Sequence, residues 1–120
     1  MAKKILIIED EQTLIKALLD SFGGNGYEVE TALDGEEGWK KMKANRPDLI
    51  LLDLILPKMD GFELLNKIKK DDEVKNVPVV ILTNLSDVTN RCEELGAKHC
   101  FVKSDESIDN IKKAVKDALS

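Results

Sequence analysis

Aliphatic runs and amphipathic stretches alternate five times along the chain. Ile5–Ile8, Leu49–Leu52 and Val79–Leu82 are unbroken aliphatic runs, as expected of parallel strands buried on both faces. Glu28–Thr31 is short and alternating, with Val29 between Glu28 and Glu30, which predicts an edge strand. Phe101-Val102 completes the set. Between the runs lie helical patterns. Leu14, Leu18 and Phe22 repeat at four-residue spacing and stop at Gly23-Gly24, a helix-ending pair. Asp34 with Glu37, and Asp60 with Glu63, read as capping boxes at helix starts, and Asp87 reads as a third helix cap. Glu94-Leu95-Gly96 closes a fourth helix, and Ile108, Ile111, Val115 and Leu119 form the inner stripe of a fifth. Such a β-α repeat predicts an α/β fold, a parallel sheet with right-handed crossovers and helices on both faces. No linker or internal repeat divides residues 1–120, which read as one domain.

Composition narrows the class. The 120 residues are 42% hydrophobic and 34% charged, a globular balance with enough apolar chain for one core. Eighteen basic against twenty-three acidic residues give a net charge of −5, which argues against a nucleic-acid surface. The lysines are scattered beside acids, as in Lys67, Lys69 and Lys70 before Asp71 and Asp72, and read as solvated helix faces. No apolar run nears the roughly 20 residues that span a bilayer, and Met1-Ala2-Lys3-Lys4-Ile5 carries no signal-peptide stretch. Cys92 and Cys100 suggest neither a disulfide framework nor, with the lone His99, a metal-ligand spacing. Both thiols are expected to be reduced, small packing residues in a cytoplasmic protein.

The chemistry lies in the residues at the carboxyl end of each aliphatic run. Ligands of open α/β sheets bind outside the carboxyl ends of the strands. After Ile5–Ile8 comes Glu9-Asp10-Glu11; after Leu49–Leu52, Asp53; after Val79–Leu82, Thr83; after Phe101-Val102, Lys103. Four strands would thus deliver acids, a hydroxyl and an ammonium to one sheet edge. At about 4 Å and an effective dielectric near 20, each like-charge pair among Glu9, Asp10 and Asp53 costs on the order of 4 kcal/mol. A cation must offset that cost or the carboxyl pKa values must rise. Mg²⁺ suits carboxylate and phosphate oxygens, and a carboxylate can attack phosphorus to give an aspartyl-phosphate. Lys103 would neutralise the incoming charge and Thr83 would donate a hydrogen bond to it.

Over essentially its whole length the chain resembles the response-regulator receiver family. The resemblance rests on Ile-Leu-Ile-Ile-Glu9-Asp10-Glu11, on Pro47-Asp48-Leu-Ile-Leu-Leu-Asp53-Leu-Ile-Leu-Pro57-Lys-Met-Asp60-Gly61, on Pro78-Val-Val-Ile-Leu-Thr83, and on Gly96-Ala97 with Lys103. It implies a doubly wound, flavodoxin-like receiver fold with five helices and strand order 2-1-3-4-5. It also implies roles. Asp53 would accept the phosphoryl group, and Thr83 and Lys103 would sense it. Glu9, Asp10, Asp53 and the backbone carbonyl of Ile55 would hold Mg²⁺, Glu9 through water. The expected function is a Mg²⁺-dependent phospho-acceptor switch, not an enzyme in its own right, although able to catalyse its own phosphorylation and dephosphorylation. The implied partners are a histidine kinase or phosphotransfer protein as donor and a protein target read through residues 87–119. A homodimer is a further possibility; direct nucleic-acid or membrane partners are not expected.

Three positions depart from the family pattern. Ser104 replaces the usual proline after the lysine, so a trans bond is expected there. Cys100 stands where the aromatic switch residue normally lies, with Phe101 displaced by one and expected to face the other side of the strand. Asn84 follows Thr83 in place of a small residue. The missing aromatic and the missing proline motivate an alternative, a receiver-fold interaction or dimerisation module independent of phosphorylation, against which the intact carboxylates argue. A free-standing Mg²⁺ phosphohydrolase is weaker, because no second general acid–base residue accompanies the site. Other polar residues have simpler readings: Asp48 starts a strand, Glu11 is a first-turn helix acid, and Trp39 and Met42 are packing residues. Read as a full gene product, the chain would be a free-standing receiver.

Overall fold

The computed structural model describes residues 2–120. Five strands, β1 (Lys3–Ile8), β2 (Tyr27–Ala32), β3 (Leu49–Leu52), β4 (Val79–Thr83) and β5 (His99–Val102), form one sheet in the order β2-β1-β3-β4-β5. Every pairing is parallel. The helices α1 (Gln12–Gly23), α2 (Gly35–Ala44), α3 (Gly61–Lys70), α4 (Val88–Leu95) and α5 (Ile108–Ala118) make the crossovers, and a 3-10 turn at Lys103–Asp105 follows β5. This is the expected doubly wound sheet, with β2 at an edge.

Side-chain alternation along the strands divides the core in two. Ile8, Ile50, Leu52, Val79 and Ile81 pack with Met42 of α2, Leu64, Leu65 and Ile68 of α3 and Val88 of α4. Ile5, Ile7, Leu49, Leu51, Val80 and Leu82 pack on the opposite face with Leu18 and Phe22 of α1 and Ile111 and Val115 of α5. Each of these buried aliphatic side chains contributes about 1.5–3 kcal/mol. Cys100 faces the first layer and Phe101 the second, as the displaced aromatic predicts.

Local rules account for most helix ends. The Asp34 side chain accepts from Glu37 N–H at 2.8 Å, and Asp60 accepts from Glu63 N–H at 2.9 Å. Gly96 takes a left-handed φ of 73° after α4, the expected stop. Asp87 departs from expectation: it precedes α4, but its side chain makes no capping bond, because its backbone (φ −93°, ψ 3°) lacks the extended geometry of a cap. Lys69 is also not a freely solvated lysine. Burial, with the charge of Lys98 nearby, lowers its pKa.

The cysteines require the main correction. Cys92 and Cys100, expected as two free thiols, are joined in a disulfide with a Cα–Cα separation of 5.7 Å. Cys92 lies one turn before the end of α4, and the αL turn at Gly96 brings the chain straight back into β5 beneath it. Eight residues apart in sequence, the two meet through that turn. No helix of the described residues is long and apolar enough to cross a membrane.

Candidate functional site

Strand register assembles the site. Ile8 pairs with Leu52, so Glu9 and Asp53 leave adjacent strands side by side. Thr83, the last residue of β4, pairs with Val102, so Lys103 emerges next to it. Backbone bonds continue past the strand ends: Glu9 N–H donates to Ala32 O and Asp53 N–H to Ile8 O, each at 3.0 Å. Both acids therefore stand on rigid backbone while their side chains leave the sheet.

Lys103 is the electrostatic centre. Its Nζ lies 2.8 Å from Asp53 Oδ2, 2.8 Å from Glu9 Oε1 and 3.5 Å from Glu11 Oε2. Glu9 and Asp53 are only 2% and 4% exposed, and the Lys103 side chain 11%. Burial alone would lower the lysine pKa, but its bonds to Asp53 and Glu9 overcome this and raise it well above the ordinary value. Burial raises the Glu9 pKa, with the Asp53 charge adding to the effect. The bond from Lys103 and the backbone N–H of Glu11 oppose the rise without cancelling it. Glu9 Oε2 also accepts from Asp10 N–H at 3.1 Å and Glu11 N–H at 3.0 Å, and Asp53 Oδ1 accepts from Ile55 N–H at 3.1 Å.

Glu9, Asp10 and Asp53 each present a carboxylate oxygen, and these oxygens lie within 4.8 Å of one another. Three hard oxygen donors at that spacing suit a small divalent cation. Asp10 is exposed, and Ile55, whose carbonyl is the fourth expected donor, lies at a solvent-facing turn. Thr83 is fully buried, and its Oγ1 is the one buried side-chain polar atom without a hydrogen-bond partner among the described residues. An unpaired buried hydroxyl costs about 1–3 kcal/mol.

The structure thus brings Glu9, Asp10, Asp53, Thr83 and Lys103 to one sheet edge, with Ile55 in the loop beside Asp53. Two further residues matter. Glu11, read as a first-turn acid, occupies the N-cap position of α1 without a side-chain capping bond and reaches Lys103 instead. Gly61 donates its N–H to Leu54 O at 2.9 Å, and a Cβ there would fall into the backbone of Asp53 and Leu54. Asp60 with Glu63 was legible as a helix start, but the contact of Gly61 behind Asp53 needs the fold. The Lys103–Ser104 bond is trans, as expected, since no cis peptide occurs among the described residues.

Comparison with known proteins gives the family and the fold. The family model for the response regulator receiver domain matches residues 5–116. The sporulation initiation phosphotransferase F of Bacillus subtilis is 38% identical over 121 residues, covering 99% of this chain and 95% of its own. The chemotaxis response regulator CheY4 of Vibrio cholerae superposes with a TM-score of 0.88 at 27% identity, covering 99% of this chain and 100% of its own. The response regulator Rcp1, solved in a Mn²⁺-bound form, superposes with a TM-score of 0.80 at 31% identity, covering 93% and 88%. The chain spans about two fifths of the length of several curated transcriptional regulators it also matches.

Proposed function

The chain belongs to the response regulator receiver domain family of two-component signalling, and on that basis we propose that residues 1–120 form one receiver unit that takes a phosphoryl group on Asp53. The observation that carries this reading is the convergence of Asp53, Lys103 and the partnerless Thr83 hydroxyl on one edge of the sheet. A carboxylate oxygen of Asp53 forms the new bond to phosphorus as the bond to the donor's leaving group breaks. Lys103, now shared between Asp53 and Glu9, turns part of its hydrogen bonding to the transferred oxygens. The Thr83 hydroxyl gains an acceptor and loses its unpaired state.

The donor set of Glu9, Asp10, Asp53 and the Ile55 carbonyl fits Mg²⁺ in charge and hardness. When bound, the ion supplies positive charge at the phosphoryl oxygens. The same side chains accelerate both uptake and loss of the group, so the domain acts on itself and needs no separate substrate pocket. The donor is a histidine kinase or phosphotransfer protein in the cytoplasm, and the output is read at residues 87–119, by a target protein or a second copy.

Intact-mass measurement with acetyl phosphate and Mg²⁺ tests the proposal. One addition of about 80 Da, the mass of a phosphoryl group, is expected for the parent chain and absent with EDTA or in Asp53→Asn. No addition to well-folded protein would instead favour a phosphorylation-independent interaction module.

A further inference from the structure

The Cys92–Cys100 disulfide joins β5 to α4, a sparsely buried helix. Helix α4 fully buries only Val88, and its N-cap residue Asp87 makes no side-chain capping bond. By contrast, α3 buries Leu64, Leu65 and Ile68 and is capped by Asp60. The last turn of α4 is held against the sheet by partial packing of Leu95 and Ala97, a cation–π contact of Arg91 over Phe62 at 5.2 Å, the bond from Lys98 N–H to Val79 O at 2.9 Å and the disulfide to Cys100. Both cysteines are half-buried, so a thiolate from solvent can approach the bond. Cys100 pairs in register with Ile81 of β4, two residues before Val102 meets Thr83 and three before Lys103.

We propose that Cys92 and Cys100 form a reversible thiol–disulfide modification site whose closure clamps α4 to β5 and whose opening frees the helix. Closure forms one bond between the two Sγ atoms. Their two protons and two electrons pass to a small-molecule disulfide, which is reduced to two thiols. Opening is the reverse exchange with a dithiol, which leaves as its own disulfide. The ligand class is therefore a low-molecular-weight thiol–disulfide couple, and the responding element is α4. The inference concerns sulfur chemistry and helix anchoring, and is independent of the phosphoryl-acceptor reading.

The test equilibrates the folded full chain with oxidised glutathione or with reduced dithiothreitol. Each sample is alkylated with a maleimide and weighed, and amide hydrogen exchange is followed in parallel over residues 88–95. Expected are two alkyl additions after reduction and none after oxidation, with α4 amides exchanging at least about tenfold faster in the reduced protein. Cys92→Ser should exchange like the reduced form under both conditions. A bond that resists excess dithiothreitol in the folded protein would overturn the proposal by making it a permanent staple. So would thiols that stay free in the oxidant, or α4 exchange rates equal in the two states. The comparison of the parent chain in two redox states stands even if the variant folds poorly.

Discussion

Lys103 decides how four carboxylates can share one sheet edge. It bonds to Asp53 and Glu9 and lies within 3.5 Å of Glu11, while Asp10 remains in solvent. Removing it leaves two buried acids unpaired, so Lys103→Met should lower unfolding free energy by about 3 kcal/mol in denaturant titrations without divalent ions. The pH dependence comes from the directions of the shifts. The Lys103 pKa is raised by folding, so its contribution is complete below the ordinary lysine value of 10.5 and fades as pH rises through the folded value. Glu9 is also raised, so its ionisation is a cost at neutral pH that Lys103 offsets; that cost shrinks as pH falls through the folded Glu9 value and is gone below the ordinary value of 4.5. Stability of Lys103→Met relative to the parent should therefore recover as pH falls from 7 toward the carboxyl range. A constant difference across that range would contradict the pairing. Thr83→Val replaces the partnerless hydroxyl by a methyl group of similar size. It should raise the stability of the unmodified protein by about 1 kcal/mol while slowing phosphoryl uptake.

Among the elements, the helix N-termini separate what local rules predict from what tertiary structure adds. Asp34 and Asp60 cap as their spacing to Glu37 and Glu63 predicts. Asp87 looks equivalent in sequence but makes no such bond. Asp60→Ala should cost about 1 kcal/mol and Asp87→Ala less than about 0.5 kcal/mol, measured by thermal or denaturant unfolding. Ser107 caps α5 through Asn110 N–H at 3.2 Å, a start not marked by the acid three residues on that announces a capping box. Gly61 starts α3 directly against the backbone of Asp53 and Leu54. Gly61→Ala should cost about 1–3 kcal/mol by overpacking and should also slow phosphoryl uptake, because the displaced backbone carries Asp53, the proposed acceptor.

At the scale of the molecule, the parallel sheet and the site were legible because aliphatic runs mark strands buried on both faces and polar residues at their ends must collect at one edge. Glu9, Asp10, Asp53, Thr83 and Lys103 were each found in that way, whereas the strand order β2-β1-β3-β4-β5 followed only from the resemblance to the receiver family. Features that depend on chain reversal were not legible. The Cys92–Cys100 pairing has no signature in the spacing itself; the αL turn at Gly96 (φ 73°) that returns the chain from α4 into β5 is what sets the two Cα atoms 5.7 Å apart. The positive φ of 63° at Lys58, in the loop after β3, is another such feature, since lysine gives no local signal for it. Metal binding also belongs to this scale. Saturating Mg²⁺ should raise the melting temperature of the parent, as any ligand of the folded state does, and should do so only weakly in Asp10→Asn.

The central claim is that the carboxylate of Asp53 takes the phosphoryl group. Its most direct test is borohydride reduction of the protein after acetyl phosphate and Mg²⁺ treatment, followed by peptide mapping, since an aspartyl-phosphate is reduced to homoserine at the modified position. The account predicts homoserine at residue 53 and nowhere else. Homoserine at Asp10 or another carboxylate, or none in a sample that carries the phosphoryl mass, would contradict it.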